Sequence, residues 1–431
     1  MESHSVRDLL DQRGAIYSSR PYVPIVDYVV PPPGDIHLVF MPYGAKFRKA
    51  RKTISNYLKD DEIDKLIPIQ DAESSQMMYE FLQKPDRFHE QALRFFGAII
   101  MASVFGTRGK NYDKGSKIRQ FFEVQHEWVS MLDQGSIPPL DVFPFLAYIP
   151  DVFTPWRGWK ERAESLKRKQ SSLYHDLFED AEERVKAGKG QESFVAGLLR
   201  GGESNAYDRV ELDYITGFLM EGGSDTTAGA FETFILAMAA HPAIQRKAQS
   251  EVDKVFGHDG VQAARATADA LPFLKACFFE VSYVIPTNTT ILMNIWAVHH
   301  DPDEYEEPDA FNPDRFLTHP LGIKPSATPA GKGSGSDASR RPTYGFGAGR
   351  RICGGQRMAE NSMMVTMAKL LWAFDIVSGQ GVDTAVQTAF RDAILTGPKE
   401  FPVEFKIRDD HRREVVLKQW QKADEYLKRF E

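Results

Sequence analysis

Cys353 lies in the glycine-rich stretch FGAGRRICGG, residues 346–355, directly before a run with helical periodicity. Four glycines in these ten residues let the backbone approach a flat ligand, because glycine has no Cβ. Free N–H groups and the positive dipole end at a helix start lower the pKa of a thiol. The resulting thiolate suits iron, including haem iron, and Arg350 and Arg351 supply charge for an anionic group. The alternative is a glycine-rich turn with a buried structural cysteine.

A second candidate site is the sequence GGSDTT at positions 222–227, inside a long apolar run. A glycine inside a helix costs about 0.5–1 kcal/mol relative to alanine, so Gly222 and Gly223 indicate close approach of a ligand. A threonine hydroxyl such as that of Thr226 bonds back to the carbonyl four residues earlier and bends a helix. The neighbouring acid, Asp225, can relay protons. Close helix–helix packing through glycine is the alternative.

The elements that must position these residues are predicted to be mainly α with a small β portion. Apolar residues recur at three- and four-residue spacing from about residue 60 to 199. Asp208 and Glu211 have capping-box spacing ahead of an apolar helix of roughly thirty residues that ends at His241-Pro242. The stretch 289–298 is rich in β-forming residues, and residues 326–340 form a Gly/Ser-rich loop. We expect one domain covering residues 1–431.

Composition excludes several functional classes. A net charge of −7 argues against a nucleic-acid partner. The chain has two cysteines, Cys277 and Cys353, too few for a disulfide framework or a multi-cysteine zinc site. No apolar run reaches the roughly 18 residues that a transmembrane helix needs. We therefore expect a cytoplasmic protein, or one held peripherally on the cytosolic face of the endoplasmic reticulum, without a transmembrane anchor in this chain.

The apolar stretch 137–156 contains five prolines, which forbid a continuous helix. Its Phe, Leu, Tyr and Trp residues form an apolar loop. Such a loop either packs inward as a cover for the core or contacts a membrane surface. The sequence leaves both alternatives open.

The cysteine-containing stretch resembles the haem-binding loop of the cytochrome P450 family. Phe346, Gly349, Arg351, Cys353 and Gly355 stand at the spacing of that family's Phe, Gly, Arg, Cys and Gly. The resemblance extends over most of the chain, from about residue 6 to 401. It implies a P450-like fold, haem b as cofactor and the thiolate of the same cysteine as axial ligand to the iron. It also implies a monooxygenase that inserts one oxygen atom from O2 into a lipophilic small molecule, with electrons from an NADPH-dependent reductase.

The resemblance assigns roles to the other motifs as well. In the family the segment matching residues 222–227 crosses over the haem, which gives Gly222 and Gly223 a cofactor-binding role and Asp225 and Thr226 a role in oxygen activation. The basic run 46–52 resembles a helix whose arginine reaches a haem propionate. Arg51 is the better candidate for this contact and Arg48 the weaker, and Phe47 stands where Trp is usual. Lys46, Lys49 and Lys52 form either a solvated face or a docking patch for the electron donor. The sequence FNPDRF at 311–316 resembles the family's meander, with Arg315 as an ion-pair residue.

The chain departs from the family pattern in two places. It begins near a helix that, in eukaryotic members, follows a membrane anchor, a first helix and two strands. In addition, Glu280 opens a Glu-x-x-Arg motif, but Tyr283 stands where Arg is expected. We expect a deletion between residues 282 and 283, an incomplete sheet with an unpaired strand at 289–297, and strain at that junction. The resemblance thus implies a monooxygenase that acts in secondary metabolism. The alternative is an inactive remnant, or a partial gene model, of such an enzyme. The substrate cannot be named from the sequence.

Overall fold

The computed structural model describes residues 6–150, 153–190, 192–281, 294–327, 341–379 and 381–431. These residues form a mainly helical structure with one small antiparallel sheet, as predicted. The expected deletion point between residues 282 and 283, and most of the glycine-rich loop at 326–340, lie outside the described residues.

The helices are joined by connections that range from one residue to long segments such as the one between Leu132 and Trp159. In chain order they are α1 Gly14–Tyr17, α2 Val26–Val29, α3 Ala45–Tyr57, α4 Asp60–Asp64, α5 Ile67–Gln83, α6 Phe88–Ile100, α7 Lys117–Leu132, α8 Trp159–Lys186, α9 Phe194–Arg200, α10 Arg209–Ala240, α11 Pro242–Phe256, α12 Pro272–Val281, α13 Ile295–His299, α14 Asp314–Thr318, α15 Gln356–Ala373, α16 Val386–Ala389 and α17 Asp410–Leu427. Two π-helical turns, Arg7–Gln12 and Met101–Phe105, are also present. No helix in this described part of the chain has both the length and the apolar character needed to cross a bilayer.

Helix α10 is the central element, and its bounds agree with the prediction. Its 32 residues begin with a capping box: the Asp208 carboxylate accepts from the Glu211 N–H at 2.8 Å, and the Glu211 side chain accepts from the Asp208 N–H at 3.2 Å. The helix ends at His241, where Pro242 cannot supply the next backbone donor. Most of its side chains are buried, and α6 and α8 pack against it.

The small sheet consists of β1, Phe374–Val377, and β2, Glu404–Ile407. The strands pair antiparallel, with Phe374 opposite Ile407 and Ile376 opposite Phe405. Phe81 of α5 packs face to face with the ring of Phe405, at 4.6 Å between centroids. The sheet thus closes one side of the helical core.

The prediction of a strand at 289–297 is wrong for residues 295–297, which the structure describes as helical. Residues Ile295–His299 form helix α13, although Ile, Trp and Val favour strands in isolation. The side chain of Asn294 accepts a hydrogen bond from the Ala297 N–H at 2.9 Å, which starts the helix. The ring of Trp296 stacks on that of His300, one turn later. Residues 289–293 lie outside the described part, so strand pairing there stays a prediction.

Glu280 at the end of α12 makes the ion pair expected for Arg315. The Arg315 Nε lies 2.5 Å from a carboxylate oxygen of Glu280, and both side chains are buried. The remaining guanidinium donors bond the carbonyls of Glu306, Glu307 and Ala310. Burial raises the pKa of Glu280 to about 7, and Arg315 only partly opposes this shift. Arg315, the one arginine that pairs with Glu280 among the described residues, therefore leaves this carboxylate incompletely compensated.

We predict that Glu280 makes the protein less stable as the pH rises. A carboxyl group whose pKa is higher in the folded state binds more protons when folded, so stability falls between its ordinary pKa of 4.5 and about 7. The shift corresponds to about 3 kcal/mol. Urea unfolding from pH 4.5 to pH 8 should show this loss in the native protein and not in Glu280→Gln. Parallel curves for the two proteins would contradict the prediction.

Candidate active site

A cavity of about 810 Å³ is lined by residues of α3, α6, α7, α10 and α15 and by the loop 345–355. Its wall is largely apolar, with Leu38, Ile54, Phe96, Ile99 and Val104 among the contributing side chains. Gly222, Gly223, Asp225 and Thr226 line it, as do Phe346, Arg351, Cys353 and Gly355. The structure therefore brings together two motifs that are more than a hundred residues apart in the chain.

The loop before α15 is held by its own backbone. The Cys353 N–H donates to the Phe346 carbonyl at 2.8 Å, and Gly347 and Gly349 both have positive φ. A Cβ on Gly349 would lie 2.2 Å from the Leu10 carbonyl oxygen. Contact with the turn Arg7–Gln12 therefore requires glycine at position 349, a reason that the sequence did not show.

Cys353 lies three residues before the first residue of α15, close to the helix start as predicted. Its sulfur belongs to the cavity wall. Burial raises the pKa of the Cys353 thiol, whereas the Gly355 N–H and the charge of Arg51 act in the opposite direction. The lowering expected at the helix start is therefore present in the Gly355 N–H, but burial has the larger effect on this pKa. A bound cation would favour the thiolate directly.

The two glycines of α10 have different surroundings. A Cβ on Gly223 would lie 2.5 Å from Ile100 Cδ1, so this glycine permits close packing of α6 on α10. A Cβ on Gly222 would have Phe218 as its nearest neighbour, at 4.0 Å, so this position is open. Both alternatives considered for the glycine pair therefore apply, one to each residue: helix packing at Gly223 and ligand space at Gly222.

Thr226 and Asp225 are placed at the same part of the cavity. The Thr226 hydroxyl donates to the Gly222 carbonyl at 3.0 Å, the back-bond expected from the sequence. The Asp225 carboxylate lies 3.6 Å from Nε2 of His126 on α7, which also lines the cavity. His126 was missed from the sequence because its helix lies a hundred residues before α10 and carries no recognisable motif.

Four arginines line the cavity, and three of them, Arg20, Arg51 and Arg351, differ from Arg391 in having no carboxylate within ion-pair distance among the described residues. Arg51 donates to the Ile352 carbonyl, next to Cys353. Arg351 donates to the carbonyls of Ser18, Leu38 and Met41, so it also ties the loop to the N-terminal segment. Burial, together with the charges of Arg20 and Arg51, lowers the pKa of Arg351 to about 10. Among the residues with described placement, no carboxylate pairs with any of the three.

Two predicted arginines lie outside the cavity. Arg48 is exposed, with its guanidinium 5.6 Å from the centre of the Tyr43 ring. Arg350 is exposed and donates to the Tyr43 hydroxyl. Lys46, considered for a docking patch, is bound to Asp35 at 2.7 Å and to Glu211 at 3.2 Å. Arg20, in contrast, was missed, because nothing around it in the sequence distinguishes it from a solvated arginine.

The fold and the cavity define a mainly helical protein whose apolar chamber has one cysteine in its wall and a group of uncompensated arginines. Comparison with known proteins agrees with this description. The sequence model of cytochrome P450 matches the chain in two pieces, residues 1–282 and 278–405. A cytochrome P450 monooxygenase of Armillaria gallica is 32% identical over 99% of this chain and 83% of its own length. One from Arthrobotrys oligospora is 31% identical, over 99% and 83%.

Among solved structures, a zebrafish cytochrome P450 with progesterone superposes with a TM-score of 0.71. The superposition covers 94% of this chain and 92% of the zebrafish chain, at 19% sequence identity. It therefore shows that the two chains share a fold. The chain therefore belongs to the cytochrome P450 family.

Haem is the cofactor of this family, and the residues present fit it. Its two propionates are anionic, and the cavity holds three arginines without carboxylate partners among the described residues. Its macrocycle is flat and apolar, and the wall is largely apolar with open space at Gly222. The wall contains the sulfur of Cys353, which as a thiolate is a stronger donor to iron than the thioethers of Met358 and Met363 in the same wall. No group of three His, Cys, Asp or Glu side chains among the described residues is arranged to hold a metal ion instead.

Proposed function

We propose that this chain is a haem-thiolate monooxygenase that transfers one oxygen atom from O2 to a lipophilic small molecule, with Cys353 as the protein ligand of the iron. The observation that carries the proposal is the presence of Cys353, Thr226 and three uncompensated arginines around one apolar cavity. Electrons are supplied by an NADPH-dependent reductase. A largely apolar wall favours a lipophilic substrate.

Bound haem supplies the oxygen chemistry, and the chain supplies positions and protons. Arg20, Arg51 and Arg351 would bind the propionates, which would offset the mutual repulsion of the three charges. The open space at Gly222 would leave room for the bound group and its ligands. Asp225 and Thr226 are adjacent in the chain and line the same cavity, and His126 lies 3.6 Å from Asp225, so these three side chains form the route by which protons are relayed into the cavity. The apolar wall excludes water from this part of the cavity.

The proposal predicts a thiolate-ligated haem spectrum. The purified chain, reduced and exposed to carbon monoxide, should show the absorption band of a thiolate-ligated haem. Cys353→Ala should lose this band, while Cys277→Ala, which removes the other cysteine, should retain it. A band that survives Cys353→Ala would contradict the assignment.

A second candidate, a remnant that folds but does not retain haem, is favoured by the break in the family pattern. The two matched pieces meet at residues 278–282, next to the expected deletion between 282 and 283. Glu280 there has one arginine where the family motif implies a second. Removing one partner from a buried ion-pair network costs roughly 3–5 kcal/mol. Soluble protein without stoichiometric haem would support this candidate, and stoichiometric haem would exclude it.

Thr226 is proposed to deliver protons rather than to maintain the fold. In the haem-loaded protein, Thr226→Ala should keep substrate binding but divert electrons from product to hydrogen peroxide, because proton delivery is mistimed. Thr233→Ala is the matched control, since the Thr233 hydroxyl makes the same back-bond, to the Gly229 carbonyl, two helical turns further along α10. The ratio of product formed to NADPH consumed is the measurement. An unchanged ratio in Thr226→Ala would show that the hydroxyl serves only packing.

The loop 137–156 is proposed to contact a membrane, on the cytosolic face of the endoplasmic reticulum. Of the two alternatives left open by the sequence, inward packing holds for Leu140, which is buried. Large apolar side chains elsewhere in the loop are exposed: Phe145 by 60%, Tyr148 by 88% and Phe153 by 80%. Clustered exposed aromatics with proline-controlled backbone suit an interfacial contact.

Vesicle binding tests this contact. The chain should co-sediment with phosphatidylcholine vesicles. Replacing Phe145, Tyr148 and Phe153 by serine should weaken the partition into the vesicles at least about tenfold, because three aromatic side chains that the membrane would bury are removed. Replacing the exposed Ile16 and Tyr22, which lie outside the loop, by serine provides the control. Equal partition of all three proteins would contradict the proposal.

A further inference from the structure

A second histidine–carboxylate pair lines the cavity, at Glu232 and His89. Nδ1 of His89 lies 3.0 Å from Oε1 of Glu232, and the Glu232 side chain is only 4% exposed. Despite this distance, neither ring nitrogen of His89 has a hydrogen-bond partner in the described part of the chain, since the alignment required for a bond is missing. Both nitrogens are nevertheless removed from solvent. A buried polar group without a partner is costly, so this arrangement indicates a ligand.

The pair stands on the same face of α10 as Asp225. Asp225 and Glu232 are seven residues apart, which is two helical turns and about 10 Å along the axis. Asp225 has His126 of α7 beside it, and Glu232 has His89 of α6. The cavity wall therefore carries one histidine–carboxylate pair at the proposed oxygen site and a second pair two helical turns further along α10.

The charges near Glu232 are close to balanced. Arg391 Nη2 lies 3.8 Å from Oε2 of Glu232, beyond hydrogen-bond distance, and its side chain is half exposed. The carboxylate thus has a cation nearby but no described hydrogen-bond donor. A neutral donor can bond the carboxylate without disturbing this balance, whereas a second cation or an anion would upset it.

We propose that Glu232 and His89 form a subsite that binds a neutral hydroxyl group on an otherwise apolar substrate. The hydroxyl donates to the carboxylate and accepts from the ring N–H of His89. The rest of the substrate lies along α10 toward Thr226, so oxygen transfer takes place about 10 Å from the hydroxyl. This subsite adds a hydroxyl group to the lipophilic substrate of the proposed monooxygenase, and as a substrate site it rests on that proposed function. Its ligand contacts do not involve the iron.

Equilibrium dialysis with 1-decanol, its methyl ether and protonated decylamine tests the subsite without turnover. The ether keeps the oxygen but removes the donor hydrogen. The purified chain should bind 1-decanol about tenfold more tightly than the ether, since a hydrogen bond to a buried carboxylate favours the donor by roughly this factor. Glu232→Leu should reduce the ratio to about one, and Glu232→Gln should give an intermediate value. Glu123→Leu, a change at an exposed carboxylate of α7, should leave the ratio unchanged.

Two results would overturn the subsite. One is a ratio of alcohol to ether affinity that is the same in the native chain, Glu232→Leu and Glu232→Gln. Glu232 would then serve only to position Arg391. The other is tighter binding of decylamine than of the alcohol, which would identify a cation site. The carbon monoxide spectrum of the same samples separates the two proposals. A haem-free chain with the predicted alcohol preference would refute the monooxygenase while supporting the subsite.

Discussion

A cavity of about 810 Å³ has to remain open inside a helical protein whose interior otherwise packs closely. The glycine pair of α10 shows how the structure meets this constraint. Gly223 lets α6 approach so closely that a Cβ would meet Ile100 at 2.5 Å, while Gly222 leaves the neighbouring space free. In the loop that carries Cys353, Gly349 adopts a left-handed backbone conformation, which brings the loop into contact with Leu10. This contact fixes Cys353 in the cavity wall. Close packing behind the wall is what keeps the space in front of it open.

Electrostatics impose the second constraint on the same cavity. Arg20, Arg51 and Arg351 stand close enough to affect one another, and carbonyl oxygens rather than described carboxylates receive their hydrogen bonds. Carbonyl dipoles orient the guanidinium groups but do not cancel their charge, so an anionic occupant is stabilised. The opposite imbalance occurs at Glu280, where one arginine faces a buried carboxylate whose pKa is about 7. Among the described residues, the three arginines thus lack carboxylate partners, and Glu280 has one arginine partner.

Local patterns predicted what local interactions control. The capping box at Asp208, the end of α10 before Pro242 and the back-bond of Thr226 all depend on neighbours within four residues. The strand expected through Ile295 failed because a single cap by Asn294 outweighed β propensity. Arg20, His89, His126 and Glu232 were missed because their significance arises from contacts with distant helices. The role of Arg350 was misjudged for the same reason, since the sequence does not show which of two adjacent arginines faces inward.

The central claim is that Cys353 supplies the ligand of the haem iron. X-ray absorption at the iron edge tests it most directly, because a sulfur neighbour scatters differently from nitrogen or oxygen. The account predicts one sulfur atom among the ligands of iron in the purified haem-loaded protein, in addition to the porphyrin nitrogens, and its loss in Cys353→Ser. A native protein whose iron has only nitrogen and oxygen neighbours would contradict the account.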